Sequence, residues 1–297
     1  MEFHFTATPN IPERASALPI TTSTRPVLRY PGGKWILAPW IIAHFPPHQC
    51  YVEPFMGAAS VFFRKPRAYA EVLNDLNNDI VNLFGLLRDP GHARVLERLL
   101  RLTPFAAVEY EAAYTPTDDR MEQARRFLVR SWQGFNSEGA LGYTTGWRRN
   151  RDRRGTLPAH DWGRFPDHIT SFTQRLQGVI IESRDALALL PVYDRADTLW
   201  YIDPPYDETA CPNFNGYGES VDHAALSVAL HQLTGMIVLS GYRSPTYDRL
   251  YADWCRVDHR AYAGTGKAGA RTRLECLWLN PTCQTALTQL PLFGETP

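Results

Sequence analysis

The sequence predicts an α/β fold: a mostly parallel sheet with helices on both faces, and a mainly helical insertion between its strands. Three observations carry this. Short apolar runs that each stop at an acid or a polar turn recur along the chain, as at Tyr51-Val52-Glu53, Val72-Leu73-Asn74-Asp75, Val179-Ile180-Ile181-Glu182, Leu199 to Asp203 and Met236 to Ser240. The first two runs stand in the order of a nucleotide-binding βαβ unit, with a glycine-bearing turn followed by an acid. A long stretch between the second and third runs switches to helical spacing. At 297 residues and 44% hydrophobic content, the chain has material for one large domain, or for one domain with a sizeable insertion.

Met1 to Arg25 carries Pro, Thr and Ser without a positive start and an apolar core, so it reads as a tail and not as a secretory signal. Residues 26–85 and 179–297 are expected to build the sheet-bearing domain, and 86–178 the insertion. Leu28 to Lys34 ends in Pro31-Gly32-Gly33-Lys34 and precedes an apolar pattern through Trp35, Ile36, Leu37, Trp40, Ile41 and Ile42. This predicts a Gly-rich turn opening a helix, where backbone N–H groups gather and an anion can dock. It is no Walker-type phosphate loop, because Trp35 stands where Ser or Thr is required.

The strand at Tyr51 ends at Glu53, turns at Phe55 to Gly57 and enters a helix through Ala58, Ala59 and Ser60. Small residues let the backbone approach a ligand closely, and a helix start favours a carboxylate. A generic strand–turn–helix is the competing reading. Asp75 follows at the distance where such units place the acid that accepts from ribose hydroxyls. Asp79 reads as a capping or surface acid of the next helix.

In the insertion, Arg94 to Leu102 and Met121 to Trp132 have the spacing of amphipathic helices. After Gln133-Gly134-Phe135-Asn136 the chain turns Gly-, Thr- and Arg-rich through Gly155. The formal net charge is zero, so any pull toward nucleic acid must be local. Between Arg120 and Arg154 nine arginines face three acids, most densely at Trp147-Arg148-Arg149-Asn150-Arg151-Asp152-Arg153-Arg154. Such a run is either a solvated loop or a set of phosphate contacts.

Asp185 follows the third strand as a helix N-cap for Ala186 to Leu190. The next strand runs into Tyr201-Ile202-Asp203-Pro204-Pro205-Tyr206. Two consecutive prolines cannot continue a ladder, so the strand stops there in a stiff turn. Open α/β sheets place ligands at such carboxyl ends. The turn offers a carboxylate, a proline carbonyl and an aromatic face, a set suited to a planar substrate with an exocyclic amine; a strand merely ending in a proline turn is the alternative. Asp207 to Ser220, rich in Gly, Asn and Tyr, is expected as a lid over that turn. Gly241 to Ser244 should sit beside it, Ala263 to Arg271 reads as a basic hairpin tip carrying Lys267 and Arg271, and Arg273 to Pro281 as the last strand.

No stretch approaches the roughly 18 apolar residues of a membrane span. Cys50, Cys211, Cys255, Cys276 and Cys283 are odd in number and scattered, which argues for reduced thiols in a cytoplasmic protein and against structural zinc. No metal is expected.

Asp203-Pro204-Pro205-Tyr206 resembles the catalytic motif of amino-group DNA methyltransferases. Tyr30 to Lys34 resembles the N-terminal cofactor motif of Dam-type adenine methyltransferases, which has an aromatic, a small residue, two glycines and a lysine; that family more often has Trp at the place of Tyr30. The matches run from Leu28 to Pro281. The resemblance implies a Rossmann-like S-adenosylmethionine-dependent methyltransferase sheet and transfer of a methyl group to the N6 of adenine. The leading Asp goes with adenine, whereas a leading Ser goes more often with cytosine N4.

By the resemblance, Tyr30, Gly33, Lys34, Glu53, Phe55, Gly57, Asp75, Asp185 and Asp203 line the cofactor pocket, Asp185 meeting the cofactor adenine. Asp203, Pro204, Pro205 and Tyr206 hold a flipped-out adenine, and S-adenosylhomocysteine is the product. The family has a second glycine near Ala59; alanine adopts positive φ poorly, so this loop is expected to be less permissive. Segment 86–178 takes the place of the DNA-recognition domain, with Asn136, Trp147, Arg148, Arg149 and Arg151 as contacts, joined by Lys267 and Arg271. Double-stranded DNA is the expected partner, and a cognate restriction nuclease is a further partner the resemblance allows, in a phage, a restriction-modification system or neither. Methylation of cytosine N4 or an RNA adenine, or a DNA-binding relative without activity, are the alternatives.

Overall fold

The computed structural model describes residues 23–135, 137–149, 156–205, 221–263 and 271–289, with backbone alone for 261–263 and 271–273. Among these, seven strands form one sheet: β1 (Cys50–Glu53), β2 (Ala70–Asn74), β3 (Ile180–Glu182), β4 (Thr198–Ile202), β5 (Met236–Tyr242), β6 (Cys255–Ala263) and β7 (Arg271–Leu279). Their order is β3-β2-β1-β4-β5-β7-β6. Pairing is parallel from β3 to β5, and β7 runs antiparallel between β5 and β6. The helices are α1 (Ala38–Ile42), α2 (Ser60–Arg64), α3 (Asn78–Arg88), α4 (Pro90–Leu102), α5 (Ala107–Ala112), α6 (Arg120–Gln133), α7 (Pro158–Arg164), α8 (Ile169–Leu176), α9 (Ala186–Tyr193), α10 (His223–His231), α11 (Pro245–Leu250) and α12 (Pro281–Thr288).

The central strands are apolar on both sides because both faces are covered, as parallel sheets require. Successive residues point to opposite faces. Tyr51, Leu73, Leu199, Tyr201 and Val238 enter one core, and Val52, Val72, Trp200, Ile202, Ile237 and Leu239 the other. The second core is closed by α9, α10 and α11 through Leu189, Leu226 and Tyr247. The first is closed by α1, α2 and α3 and by the helices of segment 86–178. Leu96 of α4, Phe127 of α6 and Phe172 of α8 share one apolar cluster with Phe62, Phe63 and Tyr51. That segment is therefore packed into the core of the sheet and is no appendage on a linker.

A buried ionic cluster fastens the same seam. Glu71 of β2, 2% exposed, accepts from Lys65 at 2.8 Å and from both terminal nitrogens of Arg175 of α8 at 2.5 and 2.8 Å. The two cations hold the Glu71 carboxyl below its ordinary range although burial works the other way. Ser23 and Arg25, placed in the tail by the sequence, are also packed. Arg25 lies over the Trp132 ring at 4.2 Å and pairs with Asp161 at 3.0 Å.

Helix starts follow their capping residues. Asn77, Asp89, Asp119, Asp222, Ser244 and Asn280 each accept a backbone N–H of the helix they open. Two expectations need correction. The helix after Lys34 begins at Ala38 and not at Trp35, because 35–37 form a turn and Pro39 sits in the first helical turn. Asp79 caps nothing: Asn77 does, and Asp79 accepts instead from Gln123 Nε2 at 2.6 Å and Arg130 Nη2 at 2.7 Å, tying α3 to α6.

The chain leaves β1 toward β2 and leaves β4 toward β5, so neighbouring connections diverge at the carboxyl ends of β1 and β4. A crevice opens where the strand order reverses, the usual ligand position in such sheets. Among the described residues no helix is long and apolar enough to cross a membrane.

Candidate active site

A cavity of about 620 Å³ occupies that crevice, within the range of small-molecule sites. Its walls gather residues that are far apart in sequence. Tyr30, Gly33 and Lys34 come from the turn before α1, Glu53, Phe55 and Gly57 from the end of β1, and Asp75 from the end of β2. Asp185 comes from the start of α9, and Asp203, Pro204 and Pro205 from the end of β4. Tyr206 lies outside the described residues, as does the Asp207–Ser220 loop.

The glycine positions have a visible cause. Gly57 has φ +46°, and a Cβ there would stand 3.3 Å from the Tyr30 ring; one on Gly33 would stand 3.1 Å from the Tyr30 carbonyl oxygen. Ala59, the last residue before α2, is itself left-handed, with φ 49° and ψ 38°. It is the one non-glycine with positive φ among the described residues. The turn therefore takes the backbone form that glycine favours, and alanine bears a cost of about 1–2 kcal/mol for it. Behind this turn Ser60 Oγ is buried without a hydrogen-bond partner and lines the cavity.

Asp75 shapes the same turn. Its Oδ2 accepts Gly57 N–H and its Oδ1 accepts Asn77 N–H, both at 2.9 Å. Burial raises its carboxyl, and these backbone bonds work against that rise. Asp185 accepts Leu187 and Ala188 N–H at 2.9 and 3.2 Å, so it is the N-cap of α9 as well as part of the wall.

Asp203 stands at the end of the cavity with both carboxylate oxygens engaged. Lys34 Nζ is 3.0 Å from Oδ2, and Ser240 Oγ donates to Oδ1 at 2.6 Å. Lys34 is 4% exposed and also donates to the Gly32 carbonyl at 2.8 Å. Below lies Glu53, 2% exposed, which accepts the Tyr51 hydroxyl at 2.9 Å. Burial pushes the Glu53 carboxyl up to about 8; the Asp203 charge adds to the rise, and the Tyr51 bond opposes it. A pocket with this many acids and a left-handed turn beside a buried free hydroxyl fits a ligand that has a cationic centre and hydroxyls to donate.

Two polar residues here escaped the sequence reading. Asn74, the last residue of β2, ties together the two loops that follow β1 and β3, donating to Pro54 O and Arg184 O while accepting Arg184 N–H, all at 2.9 Å. Ser240 sits on β5, beside β4. The only sequence signal for either is a polar residue at the carboxyl end of a strand otherwise apolar.

Of the expected nucleic-acid residues, Trp147, Arg148 and Arg149 are described with their side chains. Asn136, Arg151 and Lys267 lie outside the described residues, and Arg271 is described by backbone alone, at the start of β7. The Trp147 ring packs on Phe105 at 5.1 Å. Arg148 donates to the Trp132 carbonyl at 3.0 Å and lies 3.9 Å from Asp161, whereas Arg149 is exposed. The four arginines of α6 are bonded within the protein. Arg120 donates to Asn82, Arg125 to Glu109 and Glu122, Arg126 to Glu122, and Arg130 to Asp79. Their charge builds the helical segment and is not a free basic surface. Leu141, from the same segment, reaches the cavity wall. Among the described residues no group of three His, Cys, Asp or Glu side chains could hold a metal ion.

Comparison with known proteins supplies the family. The family model for D12 class N6 adenine-specific DNA methyltransferase matches residues 30–237. A DNA adenine methylase of Vibrio cholerae is 26% identical over 245 residues, covering 76% of this chain and 83% of that one. One from Haemophilus influenzae is 28% identical over 227 residues, covering 72% and 75%. One from Escherichia coli K12 is 27% identical over 202 residues, covering 65% and 69%. The matched span runs from Tyr30 of the cavity wall past Asp203 to β5, and on that ground the chain belongs to the D12 class of N6 adenine-specific DNA methyltransferases, enzymes that methylate adenine in DNA.

Proposed function

We propose that the cavity binds S-adenosylmethionine and that Asp203, with the Pro204 carbonyl, receives the N6 amine of an adenine turned out of duplex DNA. The observation that carries this reading is the opening of the Asp203 carboxylate onto the same cavity as Tyr30, Gly57 and Asp75. The fit rests on the residues themselves. Asp75 keeps lone pairs for ribose hydroxyls beyond its two backbone bonds. The turn at Gly57 allows close approach, Ser60 Oγ offers an unused donor, the Asp203 carboxylate faces the cationic donor, and the donor's charge would favour ionisation of the buried Glu53. When bound, that donor supplies a methyl group already activated on sulfur.

The protein's own part is then alignment and preparation of the amine. The adenine amine is a weak nucleophile because its lone pair is delocalised into the ring. Two acceptors at fixed positions, one a carboxylate and one a carbonyl, hold its two hydrogens and localise the lone pair toward the methyl. Lys34 pairs with Oδ2 of Asp203 and Ser240 donates to Oδ1, so both oxygens of the carboxylate serve as acceptors. A base inside a duplex cannot reach this turn, so it must leave the stack at a cost of a few kcal/mol. Stacking on Tyr206 is proposed to offset part of that cost.

Segment 86–178 is proposed to read the DNA, with Arg149 one of its exposed cations and Leu141 carrying the segment to the cavity wall. The test uses purified protein, duplex DNA and nucleoside mass spectrometry. Asp203→Ala should abolish N6-methyladenine formation with the cofactor Kd little changed, and Asp75→Ala should weaken the cofactor. An active Asp203→Ala enzyme, or N4-methylcytosine as the product, would overturn the reading.

A further inference from the structure

We propose that Ser240, backed by the Tyr201 hydroxyl, is the positioning residue that sets the orientation of the Asp203 carboxylate. This rests on the reading of Asp203 as the acceptor for the adenine amine. Asp203 is the first residue after β4, where the ladder has ended and two prolines follow, so no strand hydrogen bond fixes its side chain. Its rotamer must be held from outside. Lys34 meets Oδ2, but an ammonium on a four-carbon stem is a point charge with little directional preference. Ser240 is different: it is 1% exposed on β5, in a rigid central strand, and its Oγ stands 2.6 Å from Oδ1.

The proton positions follow from counting. A serine hydroxyl has one hydrogen and two acceptor sites. The short contact to a carboxylate takes that hydrogen, since charge-assisted bonds are the stronger ones. Tyr201 OH, 3.1 Å from Ser240 Oγ and 1% exposed, must then donate to Ser240. Burial and the Asp203 charge raise the Tyr201 phenol well above its ordinary value, so it stays protonated as the donor. Without it, Ser240 could turn toward the Ile202 carbonyl, 3.5 Å away. The relay Tyr201–Ser240–Asp203 links neighbouring β4 and β5 directly to the carboxylate, and leaves the cavity-facing lone pairs of Asp203 for the substrate.

The test is a set of single-turnover methylation rates with saturating duplex DNA, read beside the S-adenosylmethionine Kd from calorimetry, for Ser240→Ala, Ser240→Thr and Tyr201→Phe. Ser240→Ala should lose about tenfold to a hundredfold in rate, the range for a displaced catalytic group, with the Kd within about twofold. Ser240→Thr should recover most of the rate, and Tyr201→Phe should fall between. A wild-type rate for Ser240→Ala, with Asp203→Ala inactive, would overturn the inference and leave the reading of Asp203 intact. Parallel loss of rate, affinity and thermal stability without rescue by Thr would also overturn it, as a merely structural role. If Ser240→Ala fails to fold, Tyr201→Phe decides alone: an unchanged rate refutes the relay. Activity in Asp203→Ala would instead refute the reading beneath it.

Discussion

Replacing Glu53 by Gln removes an ionisable group from a buried position and should flatten the pH dependence of the free enzyme's stability. In the folded protein the Glu53 carboxyl is pushed up from 4.5 to about 8, first by burial and then by the Asp203 charge. The folded state therefore holds the proton more tightly than the unfolded chain does. The contribution is complete below about pH 4.5 and is lost as pH rises toward 8. Inside that window each pH unit costs about 1.4 kcal/mol, and the whole window about 5 kcal/mol. Urea unfolding of wild type and Glu53→Gln at matched pH isolates this group, because the other groups cancel in the difference. Between pH 5.5 and 7.5 the wild type should lose about 3 kcal/mol relative to the variant. Parallel profiles would refute the assignment. The functional consequence is a charge tuned to the ligand: a cation entering the cavity favours the ionised carboxylate.

Glu71→Ala strips the counter-charge from Lys65 and Arg175, whose side chains are 1% and 6% exposed. It should cost about 3–5 kcal/mol in urea unfolding at neutral pH. Because the Glu71 carboxyl is held low, its contribution is present above about pH 4.5 and fades as pH falls; a loss below about 1 kcal/mol would contradict the burial argument. Arg149→Ala should weaken duplex binding and lower the salt slope by about 1. Arg148→Ala, which frees the Trp132 carbonyl, should instead show mainly as lost stability. Fluorescence-anisotropy titrations at several salt concentrations, with thermal melts, separate the two, and an equal salt effect for both would refute the distinction.

Much of the site was legible because its signals are local. A proline pair ends a strand wherever it stands, and a glycine turn with an acid at the right distance announces a nucleotide-type βαβ unit, which singled out Gly57, Asp75 and Asp203; Tyr30, Lys34 and Glu53 came through the family resemblance, and all six line the one cavity. The Ala59 turn was half legible. The sequence suggested a loop less at ease than one with glycine, and the structure shows the alanine holding the left-handed form. The arginine-rich stretch was legible as charge but not as pairing. Arg125 meets Glu109, and Arg130 meets Asp79 from another helix, because α3, α5 and α6 pack together.

The sequence by itself determined where strands end and which residue types stand at those ends, since φ limits, alternation and the missing proline N–H act within a few residues. Only the tertiary structure decided which ends are neighbours. Strand order brings β4 beside β5 and so sets Ser240 against one oxygen of Asp203, while the turn before α1 brings Lys34 to the other. Tertiary packing likewise joined helices of 86–178 to the sheet's core, because α4, α6 and α8 bury their apolar faces against α3 and one another, and Phe172 of α8 meets Phe63 of α2.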